Sequence, residues 1–396
     1  MKTINDFNFN GMKVLVRVDF NVPLNDKFEI TSTNRIDAAL PTINKILNDG
    51  GAVILMSHLG RPKNGPEEKF SLKHLVNYLQ QKLNTTVLFA DDCVGESAVE
   101  KANNLQKGEI LLLENLRFHK EEEKGDEAFA KELALLGDFY VNDAFGTAHR
   151  AHASTTIIAH SFDKNHKAFG LLMAKEVEAL ENVMTHAKHP FTAILGGAKV
   201  SDKISLVENL INKTNNIIIG GGMMFTFVKA LGGKIGNSLV EEDYLETAKK
   251  VLQLAKEKSV NIYVPVDVIA ADKFAEDANT EIMDADNIKD GWMGLDIGPK
   301  SEKDIEEIIM NSKTILWNGP MGVFEMEKFS EGTRKAAEAV AKATENGAYS
   351  LVGGGDSVSA VKKYKLTSKI SYISTGGGAM LEYIEGKKLP GVEALL

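Results

Sequence analysis

The chain has 396 residues, 43% of them hydrophobic and 26% charged, a length that exceeds one ordinary core and points to two domains. Its net charge of −9 argues against a general nucleic-acid binder, which carries a basic face, yet a local basic cluster can still take small anions. One cysteine, Cys93, excludes a disulfide framework and a cysteine zinc site and fits a reduced, cytoplasmic setting; Met1 to Asn10 carry no apolar signal region, and no apolar run is long enough to span a membrane.

Apolar strands alternate with amphipathic helices almost throughout. Residues 14–18 predict a buried strand, and 37–48 a helix with Ile36, Ala39, Leu40, Ile43, Ile46 and Leu47 on one stripe. Further strands are expected at 52–56, 87–90, 110–113 and 139–141, with helices marked by Leu72, Leu75, Val76 and Leu79 and over 96–104 and 126–136. Strands separated by helices imply a parallel sheet covered on both faces. Residues 171–186 predict one long helix, with Leu171, Leu172, Met173, Val177, Leu180, Val183 and Met184 as its apolar positions. The alternation then restarts: strands 192–195, 216–219 and 261–264, helices 201–211, 223–231 and 242–258. Residues 271–300 predict a loop-rich stretch, and after it come a strand at 314–317, a helix near 330–343, and strands at 348–352 and 370–373. The expected architecture is two α/β domains, 1–170 and 187–379, joined by the helix 171–186, with a tail that has no core of its own.

In open α/β sheets, ligands sit at the carboxyl ends of the strands. In the first half those ends are basic and polar. They supply Arg17-Val18-Asp19-Phe20-Asn21, Ser57-His58-Leu59-Gly60-Arg61, Glu114-Asn115-Leu116-Arg117 and Asn142 to Arg150, with Arg35 at the start of the first helix. Arginine binds carboxylate and phosphate through paired donors, so the implied ligand is small and multiply negative. In the second half the ends are rich in glycine: Gly196-Gly197-Ala198-Lys199, Gly220-Gly221-Gly222, Asn318-Gly319-Pro320-Met321-Gly322, Gly353-Gly354-Gly355-Asp356-Ser357 and Gly376-Gly377-Gly378. Glycines at a strand-to-helix turn let backbone approach a ligand, and the helix start favours an anion. Lys199 and Lys203 are spaced as one helical turn and would reach one anionic group. Glu325 can accept from ribose hydroxyls, and Asp356 is a hard oxygen ligand of the kind Mg²⁺ takes beside phosphates. No G-x-x-x-x-G-K-[ST] loop, protein-kinase motif or strict G-x-G-x-x-G fingerprint is present. A nicotinamide-dependent dehydrogenase and a non-catalytic hinge-type binding protein are the competing readings; the missing fingerprint opposes the first, and the Lys203, Asp356 and Gly376 set opposes the second.

The stretches Arg17 to Pro23, Ser57 to Pro62, Asn142 to Thr155, Gly196 to Lys203, Trp317 to Glu325, Gly353 to Ser357 and Leu389 to Glu393 closely resemble phosphoglycerate kinases, in order and spacing over essentially the whole chain. The resemblance implies a glycolytic, monomeric enzyme of two Rossmann-like three-layer domains with a hinge. It implies reversible, Mg²⁺-dependent phosphoryl transfer between 1,3-bisphosphoglycerate and ADP, with no nucleic-acid or membrane partner. By it, 3-phosphoglycerate is held by Asp19, Phe20, Asn21, Arg35, His58, Leu59, Gly60, Arg61, Arg117 and Arg150. The nucleotide, ADP or ATP, is held by Lys203, Gly294, Glu325, Gly354, Gly355, Asp356 and Ser357, Asp356 also ligating the metal. The tail 380–396 is similar to one that returns to the first domain. Family members often carry acidic residues where this chain has Ser32-Thr33-Asn34.

Phosphoryl transfer is catalysed mainly by positioning and charge neutralisation. In the ATP-consuming direction the nucleophile is a carboxylate with a reference pKa of about 4, already ionised at neutral pH, so no general base is needed. Arg35, Lys203, the N–H groups of Gly376 and Gly377, and Lys199 in support are the expected stabilisers of the moving group. Substrates on two domains imply closure that excludes water, with the helix 171–186 and the Gly376 region as hinges. Blander readings stand beside these. Arg17 fits a buried ion pair with Asp19, Glu121-Glu122-Glu123 a solvated helix approach, His149 and His152 packing or phosphate contact rather than a metal, Met223 and Met224 core or the border of a base, and Cys93 a buried spectator.

Overall fold

The computed structural model describes all residues, 1–396, as two compact units: Met1–Glu178 with Lys388–Leu396, and Ala179–Lys387. The division falls inside the helix Leu171–Met184. Residues 380–387 lie in the second unit, so the returning tail is shorter than the 380–396 expected. It is pinned to the first unit by the Gly391 N–H, which donates to the Ala148 carbonyl at 2.8 Å.

The first unit is built on β1 (Lys13–Arg17), β2 (Ala52–Met56), β3 (Val87–Ala90), β4 (Ile110–Leu113), β5 (Phe139–Asn142) and β6 (Lys167–Phe169). They form one parallel sheet in the order β3-β4-β2-β1-β5-β6. Every residue of β2 and β4 is buried, the uninterrupted apolar reading of strands covered on both faces. The connection leaving β1 runs toward β2 and the one leaving β5 runs toward β6, on opposite sides. The carboxyl ends of β1 and β5 therefore flank a topological switch point, where open sheets bind ligands.

The second unit carries β7 (Phe191–Leu195), β8 (Asn216–Ile219), β9 (Lys234–Ile235), β10 (Asn261–Tyr263), β11 (Asp267–Ala271), β12 (Thr280–Asp284), β13 (Asn287–Ile288), β14 (Met293–Ile297), β15 (Thr314–Asn318), β16 (Tyr349–Val352) and β17 (Tyr372–Ile373). Its main sheet is parallel, in the order β10-β8-β7-β15-β16-β17. Renumbered within the unit this is 3-2-1-4-5-6, the Rossmann order, with its switch point between β7 and β15.

The stretch 271–300 is not the loop expected. It holds β12, β13, β14 and the start of the helix Pro299–Met310, and β12-β11-β14 make an antiparallel sheet. β12, Thr-Glu-Ile-Met-Asp, is exposed except at Met283. Its polarity hides it from hydrophobic patterning, and its ladder hydrogen bonds, which sequence does not display, define it.

The start of the helix Leu171–Met184 is capped by Asp143, at the end of β5. Its Oδ1 accepts from the N–H groups of Leu172 and Met173 at 2.9 and 3.1 Å, while Oδ2 is buried without a partner. Burial pushes the carboxyl up to about 6, against the donors Thr42, Met173 and Leu172. An acid whose folded pKa lies above its unfolded value, about 4, destabilises the fold once ionised. That loss develops as pH rises from about 4 through 6. Asp143→Asn keeps an oxygen for the cap and removes the charge. Its unfolding free energy relative to wild type should rise across that window by on the order of 1–3 kcal/mol, which urea titration at both ends of the window measures.

Candidate active site

At the carboxyl ends of β1, β2, β4 and β5 the first unit gathers a polar, cationic basin. Arg35, in the first turn of the helix Asn34–Asn48, donates to both carboxylate oxygens of Asp19 at 3.0 and 2.9 Å. Its side chain is 45% exposed and that of Asp19 15%, so the arginine is aimed but not fixed. Asp19 also accepts from the Asn21 N–H, and Asn21 Oδ1 accepts from the Gly60 N–H at 2.8 Å. Gly60 has φ +62°, and a Cβ there would lie 2.3 Å from the Phe70 ring, so only glycine fits. Arg117 donates to the Gly60 carbonyl at 3.1 Å and pairs with Glu123 at 3.5 Å. Burial lowers its pKa, and Glu123 opposes that. Arg61 and Arg150 are exposed.

The charges of Arg17, Arg117 and Arg35 all act on His58 and, after burial, depress its pKa well below the usual imidazole range. Burial and then Arg117, Arg17 and Arg150 push His152 down to about 4. The arginines thus make one shared positive field in which both imidazoles stay neutral.

Several residues stand differently from their sequence reading. Phe20 and Leu59 are buried core side chains, so only their backbones can face a ligand. Arg17 does not pair with Asp19, which belongs to Arg35; its Nε donates to Ser154 Oγ at 2.8 Å and its NH2 faces His58 Nδ1 at 3.3 Å. Glu122 is not solvated but wholly buried, accepting from the Ser154 N–H and hydroxyl. Met223, Met224 and Cys93 are buried, as expected. Asn115 is not among the expected site residues, although it holds the basin together. Its Nδ2 donates to the Leu59 and Phe70 carbonyls at 2.7 and 2.9 Å, and its Oδ1 accepts from the Arg117 N–H at 3.0 Å.

In the second unit a cleft of about 610 Å³ opens between the ends of β7, β8, β14 and β15. Its walls include Met224, Phe225, Leu239, Phe274, Gly294 and Pro320, with Glu325 and Asp356. Leu239 and Phe274 are each about 60% exposed, an apolar surface left open at a cleft, which marks ligand contact rather than core. A Cβ on Gly294 would sit 2.2 Å from the Phe225 ring, so that glycine lets an aromatic floor lie flat. Leu239 and Phe274 carry no signal in the sequence, being single apolar residues in irregular stretches.

The glycines around this cleft divide into two kinds. A Cβ on Gly196, Gly221 or Gly319 would lie 2.0–2.6 Å from neighbouring backbone; these glycines let the ends of β7, β8 and β15 touch and leave no room for a base. At Gly355 and Gly377 the same atom would meet open space, so these are the positions free for a ligand. The Gly376 N–H donates to Ser374 Oγ at 3.1 Å, and Ser357 Oγ accepts from the Gly319 N–H at 2.6 Å, so both are engaged within the protein. Lys203 donates to Asn318 Oδ1, and burial lowers its pKa against the charges of Asp202, Asp356 and Glu385. Lys199 is exposed and acts on Glu241. The helix begins only at Ile204, so Lys199 and Lys203 are not a helical turn apart; the turn at 201–203 breaks the spacing. Asp356 and Gly355 are exposed in the first turn of the helix Gly355–Lys363. Asp296, also unforeseen, is buried under the cleft, where it accepts from the Ile297 and Gly332 N–H groups.

Asn115→Ala should remove two buried donors and one acceptor and cost about 2–4 kcal/mol in chemical denaturation.

A family model described as phosphoglycerate kinase matches residues 4–387. A phosphoglycerate kinase of Porphyromonas gingivalis is 54% identical over 416 residues, covering 99% of each chain. The cytosolic phosphoglycerate kinase 3 of Arabidopsis thaliana is 53% identical, covering 99% of this chain and 97% of its own. Among solved structures, phosphoglycerate kinase of Coxiella burnetii superposes with a TM-score of 0.92 at 42% identity, covering 99% of this chain and 98% of its own. That of Pyrococcus horikoshii gives 0.81 at 33%, covering 100% and 98%. With the two switch points, the arginine basin and the apolar cleft, these matches place the chain in the phosphoglycerate kinase family, phosphotransferases that move a phosphoryl group reversibly between 1,3-bisphosphoglycerate and ADP.

Proposed function

We propose that the basin of the first unit holds 3-phosphoglycerate, or the acyl phosphate made from it, through Asp19, Asn21, Arg35, His58, Arg61, Arg117 and Arg150. The cleft of the second unit takes ADP or ATP. The observation that carries this reading is the contrast between the two sites. One is a field of guanidinium groups, suited to a small acid with two charged ends. The other is an apolar slot with a lysine and a carboxylate beside it, suited to a flat base with a charged tail.

The chemistry asks for no base. The attacking carboxylate is ionised at neutral pH, and His58 and His152, held neutral with depressed pKa values, are poor proton acceptors. Their use is as hydrogen-bond donors. Arg35 is the mobile cation: its pairing with Asp19 aims it, and its exposure lets it shift toward the transferring group. Lys203 supplies the charge on the nucleotide side, with Lys199 in support and the backbone at Gly377 and Gly355 as the open N–H surface. Gly376 joins them once its donor leaves Ser374. Gly294 borders the adenine, Glu325 the ribose, and the Gly354-to-Ser357 turn the phosphates.

Family members use the nucleotide with Mg²⁺, and the residues present fit that ion. Asp356 is an exposed carboxylate on the cleft wall, the single protein ligand an ion needs when phosphates and waters supply the rest. When bound, the ion neutralises phosphate charge. The enzyme works as a monomer in the cytoplasm, and the hinges are assigned to 171–186 and the Gly376 region; no helix is long and apolar enough to cross a membrane.

A coupled assay of Mg²⁺-dependent ATP formation from ADP and 1,3-bisphosphoglycerate tests the whole reading, and absence of turnover sinks it. Asp356→Ala should lose roughly tenfold or more in Mg-nucleotide affinity together with turnover; unchanged kinetics remove its metal role. Arg35→Ala should lower kcat roughly 10²–10³-fold with nucleotide affinity nearly constant. An equal loss in both would take Arg35 out of the transition state.

A further inference from the structure

The basin contains a one-directional chain of hydrogen bonds that the substrate contacts do not explain. Arg17 is wholly buried at the end of β1. Its Nε donates to Ser154 Oγ, its NH1 to the Val18 carbonyl, and its NH2 lies 3.3 Å from His58 Nδ1. None of these partners is a carboxylate. The countercharge stands one hydroxyl away: the Ser154 hydroxyl and N–H both donate to Glu122, which is buried as well.

The polarity of this chain is dictated by chemistry alone. A guanidinium has five N–H donors, accepts nothing and does not lose its proton. His58 Nδ1 must therefore be the acceptor, and a ring with a bare Nδ1 is neutral and carries its proton on Nε2. Likewise Ser154 Oγ accepts from Arg17 and gives its own hydrogen to Glu122. We infer that Arg17, neutralised through Ser154 by Glu122, is a positioning residue that fixes the tautomer of His58. His58 then presents an Nε2–H donor to an anionic oxygen of the acidic substrate. This rests on the assignment of His58 to that substrate.

The arrangement answers a definite need. A histidine in an arginine-rich basin could turn either nitrogen outward. With Nδ1 protonated it would offer a lone pair to an anion, which repels. With a guanidinium fixed behind Nδ1, only the donor face remains. The guanidinium in turn can stay buried only with an anion near it, which assigns Glu122 its place in the middle of an otherwise acidic, exposed run. The depressed pKa of His58, from burial and from Arg17, Arg117, Arg35 and His152, agrees with a ring that stays neutral.

The test uses the full ¹⁵N-labelled enzyme without ligands. Long-range ¹H–¹⁵N correlation at neutral pH should show His58 protonated at Nε2 only. A wild-type spectrum with His58 protonated at Nδ1, or at both nitrogens, overturns the inference with no variant needed. The double variant Arg17→Met/Glu122→Gln removes both buried charges together and so leaves neither unpaired. In it the His58 signal should move to a mixture of tautomers. The KM for 3-phosphoglycerate should rise by the inverse of the Nε2–H fraction that remains, roughly twofold for an even mixture, while the KM for ATP holds. A double variant that keeps the pure Nε2–H tautomer overturns the role of Arg17. A tautomer that changes while the KM for 3-phosphoglycerate stays the same in both the double variant and His58→Leu, which has no donor, upholds the chain of hydrogen bonds and overturns the substrate assignment of His58.

Discussion

A guanidinium buried at the end of a parallel strand has to be neutralised where water cannot do it, and much of the first unit is arranged around that constraint. Arg17 closes β1 at the switch point, and its backbone carbonyl accepts from the Asp143 N–H at 2.8 Å, joining the ends of β1 and β5. Its side chain spans from Ser154 to His58. Glu122 must be drawn out of the exposed run Glu121 to Glu123 to balance it, and Ser154 must be buried to link the two. Burying an ion pair is costly, and it is kept where it fixes an arrangement rather than where it adds stability. Here what is fixed is the position of the segments that carry the basin.

The second unit meets the opposite demand with backbone instead of charge. At its switch point the Gly196 N–H donates to the Asn318 carbonyl, the Gly221 N–H to Met321 and the Met223 N–H to Gly197, at 2.9–3.0 Å. This contact of main chain on main chain is possible only without Cβ atoms. It brings the ends of β7, β8 and β15 close enough to form the inner wall of a narrow slot. Asn318 then ties the slot to its charge: it takes the Lys203 ammonium through Oδ1 and donates to the Gly353 carbonyl through Nδ2 at 2.8 Å. The lysine and the glycine turn before Asp356 are thus set by one side chain.

Much of this is legible in the sequence. Buried parallel strands such as Ala52–Met56 and Ile110–Leu113 announce themselves as unbroken apolar runs. The residues immediately after such runs, His58 and Arg61 after the first and Arg117 after the second, already mark the basin as cationic. The unreadable parts share a physical cause, dependence on partners distant in the chain. β12 is a strand because β11 pairs with it. Glu122 is buried because of Arg17, more than a hundred residues earlier. Leu239 and Phe274 are isolated apolar residues until the cleft gathers them. Lys199 and Lys203 have a helical spacing that the turn at 201–203 does not use. The glycines mislead in part, since those needed for close strand approach look identical in sequence to those left open for a ligand.

The electrostatics of the basin also limit what reaction it can serve. A field strong enough to gather a multiply charged acid disfavours a second positive charge, so it lowers the basicity of any imidazole inside it. The burial of His58 and His152 acts in the same direction. Such a site binds anions well and abstracts protons poorly. It therefore suits a substrate that arrives with its nucleophile already ionised, as a carboxylate does and an alcohol does not. The cationic field of the arginines and the weak basicity of the imidazoles are then one property of the basin: the charge that would hold an acid in place is the charge that leaves the histidines only hydrogen bonds to give.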